Sequence, residues 1–210
     1  MRTPSRRAVC VSAAAGAMLA AAQARAAVKS APGDMSLGNP KAPVHVVEYL
    51  SLSCSHCAHF HEDVFPAFRA KYVDTGKVYF TVRELLTAPA QVAAAGFLLA
   101  RCNGGTRYFD ILDQVFRSQG RWGSGQIKPI FLEIAKENGI TEAQFEACLS
   151  DAKANDALSS RLEYATGVDK VTGTPTFFVN GVMLQVGHTP TLAELDAAIA
   201  KALSKTGGRR

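Results

Sequence analysis

The sequence predicts a mixed α/β fold whose sheet is interrupted by an all-helical insertion. Three observations predict it. Strand, helix and strand patterns follow one another over residues 44–82. Residues 89–166 carry helical periodicity and almost no strand signal. A strand pair and a helix return over 175–203, so the two outer parts are expected to share one sheet. With 210 residues, 48% of them hydrophobic, the chain can form one domain with an insertion and a sizeable core.

Residues 1–26 have the layout of a cleaved signal peptide. Arg2, Arg6 and Arg7 give a basic start and residues 8–22 are apolar and alanine-rich. Ala24-Arg25-Ala26 is a small-x-small cleavage site that leaves Ala27 as the mature N-terminus. Ser5-Arg6-Arg7 before a weakly hydrophobic run leaves both the twin-arginine and the general secretory route open. Cleavage removes four of the 23 basic residues (Arg2, Arg6, Arg7, Arg25), so 19 face 18 acidic ones and the net charge falls from +5 to +1. The basic balance of the whole chain then says little about partners, and nothing calls for nucleic acid. Cys10 leaves as well. Four of the five cysteines remain, an even number that suits two disulfides in an oxidising compartment. Beyond the signal no apolar run is long enough to span a membrane.

Residues 27–43 hold Pro32, Gly33, Pro40 and Pro43 and are expected to be a short irregular leader. Residues 44–50 read as a buried strand. From Cys54 to Tyr72 the pattern turns helical, with Cys57, Phe60, Val64, Phe68 and Tyr72 on one face and a kink at Pro66. Asp74-Thr75-Gly76 ends that helix and 77–82 is a second strand. In the insertion, Val92, Gly96, Leu99 and Cys102 trace a stripe that stops at Asn103-Gly104-Gly105. Further helices are expected at 106–118, 127–138, 141–150 and 151–166, with 118–125 a glycine-rich loop around Trp122. Thr141 and Gln144 form a capping-box pair. Residues 175–179 are a strand, Asn180-Gly181 is a hairpin turn and 182–186 its return strand. Thr191 and Glu194 make a second capping box, opening a last helix with Leu192, Leu195, Ile199 and Leu203 on one face. The expected units are a signal (1–26), a leader (27–43), a sheet-bearing domain (44–88 with 167–204), the insertion (89–166) and a tail (205–210). The chain has no internal repeat.

Cys54-Ser55-His56-Cys57 closely follows the first strand. Two cysteines with two residues between them can close a disulfide within one helical turn and reopen it. If the quartet opens a helix, Cys54 lies at the positive end of the helix dipole, which lowers its thiol pKa. His56 adds a positive charge or a donor beside the same sulfur. Cys54 is then the more exposed, attacking sulfur and Cys57 the resolving thiol. Cys54, Cys57, His59 and His61 can also be drawn as a metal site. A structural zinc site, however, usually has a second distant ligand pair, so no metal ligand and no cofactor are assigned. His45 and His188 read as isolated surface or turn histidines. Glu48, in a strand interior, relays protons to or from Cys57 if it faces inward, but its Val-Val and Tyr-Leu neighbours leave its face open. Cys102 and Cys148 fall on the apolar stripes of two helices and are read as a structural disulfide, with two buried free thiols as the alternative. Closing that loop would stabilise by roughly 4 kcal/mol on the chain-entropy model.

Three features together carry a resemblance: the Cys54-Ser55-His56-Cys57 quartet after a strand, Glu48 six residues before Cys54, and Gly173-Thr174-Pro175-Thr176-Phe177 opening the late hairpin. Over about residues 40–203 the chain resembles the thioredoxin fold with an inserted helical domain. Within it, the chain is similar to the DsbA type of exported thiol oxidase, especially the branch with a Cys-Ser-His-Cys centre. The resemblance implies that Pro175 is the cis-proline facing the cysteines, that the backbone of Thr174 pairs with substrate, and that Glu48 is the buried acid beneath the site. It implies a bridge such as Cys102 with Cys148, which some relatives of this branch carry.

The function expected from residues and resemblance is a periplasmic thiol:disulfide oxidase. It would act on unfolded or reduced exported proteins through a mixed disulfide at Cys54 and be reoxidised by a DsbB-like membrane partner. A disulfide isomerase or reductase of the same fold is the alternative, since isomerases often carry threonine before the proline. Residues 27–43 are too short for the dimerisation domain of periplasmic isomerases, which favours a monomer. A metal-binding or holdase-type carrier using the groove around Pro175 is the reading from another class.

Overall fold

The computed structural model describes residues 30–184 and 188–207. The signal segment and its cleavage site lie outside the described residues, as do Gln185 and Val186 of the expected return strand and residues 208–210. Five strands form one sheet: β1 (Met35–Leu37), β2 (Val44–Leu50), β3 (Val78–Glu84), β4 (Thr176–Val179) and β5 (Val182–Met183), in the order β1-β3-β2-β4-β5. β2 and β3 run parallel, as a strand–helix–strand crossover requires, while β1, β4 and β5 are antiparallel to their neighbours. β2 lies at the centre with nearly every residue buried, because both of its faces are covered. The sheet register sets Glu48 between Val82 on β3 and Phe177 on β4.

The leader differs from its expected irregular form. Met35–Leu37 adds an edge strand to β3, with Ser36 Oγ and Thr81 Oγ1 2.8 Å apart across the pair. Flanking glycine and prolines hide a three-residue strand from a periodicity search, and its hydrogen-bond partners come from elsewhere in the chain. At the other end of the described residues the last helix, α8 (Leu192–Gly207), runs past Ser204 into the expected tail. The return strand of the hairpin is short, Val182–Met183, after a turn with positive φ at Asn180 (47°) and Gly181 (79°).

The helical run after β2 has four parts: α1 (Ser55–His59), a π-helical turn (Phe60–Val64), α2 (Phe65–Phe68) and a second π turn (Arg69–Val73). Pro66 lacks an N–H and cannot continue the ladder, so the expected kink takes the form of a wide turn before it, with Pro66 in the first turn of α2. That wide turn buries Phe60 and His61 side by side. The second π turn is tied to α8 by Lys71 Nζ and Tyr72 Oη, both 2.7 Å from the Asp196 carboxylate.

The insertion consists of α3 (Ala90–Ala100), α4 (Tyr108–Ser118), α5 (Ile127–Glu137), α6 (Glu142–Ser150) and α7 (Ala152–Gly167). The expected loop around Trp122 is a 3-10 turn, Gln119–Ser124. The Thr141–Gln144 capping box forms at the start of α6. Gly96 on α3 permits close approach, since a Cβ there would meet Leu52 Cδ1 at 2.8 Å. One continuous core joins the insertion to the sheet face that carries Glu48. A small second cluster of Val47, Tyr49, Leu85, Ala165 and Val171 covers the opposite face. Among the described residues no helix is long and apolar enough to cross a membrane.

Candidate active site

The quartet sits where the C-terminal end of β2 turns into α1. Cys54 is the N-cap of α1, in extended conformation, and its carbonyl accepts from the Ala58 N–H at 3.1 Å. The turn is fixed from two sides. Ser53 Oγ donates to the Thr87 carbonyl at 2.8 Å, and Ser51 Oγ accepts from the Thr87 N–H at 3.0 Å. Gln119, from the insertion, donates its amide to the carbonyls of Leu52 and Cys54 at 2.9 and 3.3 Å. The start of α1 is thereby held by residues distant in sequence.

The two sulfurs are both free thiols in very different settings. Cys54 is half-buried and Cys57 is fully buried. A hydrogen bond from the Cys57 thiol is the largest influence on Cys54, opposed by partial burial. The Thr174 hydroxyl and the N–H groups of Cys57 and His56 add to it, and the Cys54 thiol is held down to about 5. What reaches the sulfur from His56 is thus its backbone N–H, while its imidazole is exposed. Cys57 is pushed the other way, well above the usual thiol range, by burial first, then by its bond to Cys54 and by the charge of Glu48. Two like groups one turn apart are driven to opposite protonation states, so one is a thiolate and the other a thiol over a wide pH range.

Thr174 and Pro175 stand opposite the quartet, joined by a cis peptide bond. Cys54 Sγ lies 3.4 Å from the Thr174 carbonyl oxygen, which accepts from the thiol when Cys54 is protonated. Glu48 is fully buried on β2, with His61 Nε2 2.9 Å from its Oε2. Burial raises the Glu48 carboxyl and the charge and hydrogen bond of His61 pull it back. Among the described residues only two buried side-chain polar atoms lack a hydrogen-bond partner, Glu48 Oε1 and Thr174 Oγ1. Both belong to groups that act on the two sulfurs. Unsatisfied buried atoms are costly, and both of these lie at this site.

The remaining candidates separate. Cys102, just after α3, is bonded to Cys148 on α6, with Cα atoms 5.8 Å apart. His59 is exposed and pairs with Asp63 at 2.7 Å, away from the buried His61. Among the described residues no cluster of His, Cys, Asp or Glu stands ready to hold a metal ion. His45 is not a surface or turn residue; it lies half-buried within β2, with Nε2 2.7 Å from Thr81 Oγ1. His188 is exposed and pairs with Glu194. Trp122 packs within the insertion, donating to Ser118 Oγ at 3.0 Å and meeting Phe131 edge-on. Two residues escaped the sequence reading: His61 as the partner of Glu48, and Gln119. His61 lies one turn after Cys57, and that spacing was the available signal. Gln119 gave none.

A thioredoxin family model matches residues 30–201. The chain belongs to this family. This thioredoxin-family chain is 34% identical over 175 residues to a provisionally named protein-disulfide oxidoreductase of Rickettsia bellii, covering 82% of the chain and 66% of that relative. A provisionally named counterpart in Rickettsia conorii is 36% identical over 174 residues, 82% of the chain and 61% of the relative. The chain thus spans about two thirds or less of the length of these curated relatives. Among solved structures, alpha-DsbA1 of Wolbachia pipientis superposes with a TM-score of 0.73 at 29% identity, over 85% of this chain and 97% of that one. The chain is a DsbA-like member of the thioredoxin superfamily, with the fold and helical insertion that the sequence predicts.

Proposed function

We propose that the protein is an exported thiol:disulfide oxidase that introduces disulfides into reduced, unfolded proteins. One observation carries the reading. The Cys54 thiol is held down to about 5 while its neighbour Cys57, fully buried, is pushed well up. A stable Cys54 thiolate stabilises the dithiol form, which makes the enzyme's own disulfide easy to reduce and therefore oxidising. The relatives named as protein-disulfide oxidoreductases support the same chemistry.

In the proposed reaction a substrate thiolate attacks Cys54 Sγ. The bond between Cys54 and Cys57 breaks and its electron pair passes to the Cys57 sulfur, which takes up a proton. A second substrate thiolate then attacks the substrate sulfur of the mixed disulfide, and Cys54 leaves as a thiolate stabilised by Thr174 and the α1 N–H groups. Glu48 serves as proton relay to Cys57. A DsbB-like membrane partner would restore the disulfide, and the protein would work as a monomer. Thr174 also favours a second reading, a disulfide isomerase or reductase, because its hydroxyl is a feature that isomerases of this fold often have.

The test is the redox equilibrium of the Cys54/Cys57 couple against glutathione, together with a Cys54 titration followed by thiolate absorbance. A strongly oxidising couple with a Cys54 pKa near the acid range is expected. A couple as reducing as that of a cytosolic thioredoxin would overturn the oxidase and move the assignment to the isomerase or reductase.

A further inference from the structure

Glu48 is not alone beneath the cysteines. His61 reaches it from the π turn, one turn after Cys57, with Nε2 2.9 Å from Oε2 and both side chains almost fully buried. The imidazole lies within an aromatic wall. It stacks on Phe116 of α4 at 4.9 Å and 27° between planes, and Phe60 and Phe65 close the other sides. Val82 and Phe177, on the neighbouring strands, are the register partners of Glu48. The ionisable groups that act on this carboxyl are therefore few: His61 and the Cys54 sulfur act on Glu48, and Glu48 acts on Cys57.

A buried acid and a buried base in contact, with one carboxylate oxygen unpartnered, form a unit that can hold one proton in more than one place. We propose that His61 is a positioning residue that shares a single proton with Glu48, and that this shared proton is the one Cys57 receives when the disulfide opens. The inference rests on the thiol-exchange function proposed above and adds the partner that sets the proton affinity of its acid.

The physical case is a balance of two opposed effects. Burial raises the proton affinity of Glu48, and the charge and hydrogen bond of the imidazole offset that burial. On opening, the electron pair of the broken bond lies on the Cys57 sulfur and the shared proton moves to it, leaving a carboxylate hydrogen-bonded to a neutral imidazole. On closure against a partner disulfide, Cys57 returns its proton to the pair. Its thiolate then attacks Cys54 Sγ, and the partner thiolate leaves. Atoms and electrons balance in both directions. The stacking on Phe116 holds the ring toward Oε2, so the helical insertion sets the geometry of the relay.

Two measurements test this. In the first, the unaltered protein carries 15N-labelled histidine and the His61 ring nitrogens are followed through a pH series in the disulfide and dithiol forms. A pH midpoint that differs between the two forms is expected; one midpoint common to both overturns the shared proton. In the second, reduced protein is mixed rapidly with glutathione disulfide, which separates formation of the Cys54 mixed disulfide from its closure by Cys57. His61→Gln and Glu48→Gln should each slow closure on the order of tenfold and flatten its pH profile, with the double variant no slower than the singles. Formation of the mixed disulfide, which needs no proton transfer at Cys57, should change less than its closure. Closure at the unaltered rate and pH profile in His61→Gln overturns the proposal. If the unaltered protein forms no mixed disulfide at Cys54, the thiol-exchange function fails instead. Should His61→Gln not fold, the labelled unaltered protein still decides.

Discussion

Glu48 and Glu84 occupy the same face of two adjacent parallel strands, where Glu48 lies opposite Val82 and Leu50 opposite Glu84. Both carboxyls are buried, yet their surroundings could hardly differ more. Glu84 accepts from Arg101 Nε at 2.5 Å, Arg161 Nε at 2.6 Å and Tyr108 Oη at 3.2 Å, so its charge is matched by two arginines, from the end of α3 and from α7, with a hydroxyl from α4. Next to it, on the other face, Arg83 is paired with Asp34 and Asp169, each at 2.7 Å, tying the leader and the segment after α7 to β3. Glu48 has one imidazole and an idle oxygen. A saturated buried charge holds elements together; an unsaturated one is costly to bury.

The largest effect expected from breaking this contrast is at Glu84. Glu84→Ala leaves Arg101 and Arg161 without their buried partner and should lose about 3–5 kcal/mol in urea unfolding, with thiol exchange per folded molecule little changed. The opposite substitution sharpens the comparison. Glu48→Leu with His61→Phe replaces a buried polar pair by apolar groups and should be neutral or stabilising by roughly 1–4 kcal/mol, while closure of the mixed disulfide slows. A large loss of stability in that double variant would count the pair as structural.

The thiols give a pH dependence of defined sign. The Cys54 pKa is depressed in the folded dithiol form, so its contribution is fully present above the ordinary thiol value and is lost as pH falls through about 5. Unfolding curves of the two redox forms should therefore converge as pH drops from about 9 to 5, with a slope of at most about 1.4 kcal/mol per pH unit. Curves that stay parallel would mean that the Cys54 thiol is not depressed. Thr174→Val removes a hydroxyl that acts on Cys54 and has no other partner among the described residues. It should raise the Cys54 pKa by about one unit, read by thiolate absorbance. Gln119→Ala, which frees the carbonyls of Leu52 and Cys54, should cost about 1 kcal/mol and leave that pKa nearly in place.

The legible parts of the site were the local ones. The quartet after a strand placed Cys54 at a helix start and Cys57 one turn in, because a β-to-α transition at that spacing is written in four residues. The face taken by Glu48 was not legible, since β2 is buried on both sides and its sequence carries no alternation. The expected pairing of Cys102 with Cys148 is present, but the sequence could not fix it by itself, because a separation of 46 says nothing about the distance between the turn after α3 and α6.

By itself the sequence determined the order of the long strands and helices, the caps at Thr141 and Thr191, the hairpin at Asn180-Gly181 and the placing of Cys54 and Cys57 one turn apart at a helix start, all set by neighbours a few residues apart. Only the tertiary structure decided that Met35–Leu37 joins the sheet, that His61 meets Glu48, that Gln119 holds the start of α1 and that Glu84 is matched by two arginines. Each of these depends on where distant elements come to rest, and long-range packing of buried polar groups leaves no periodic trace in the chain.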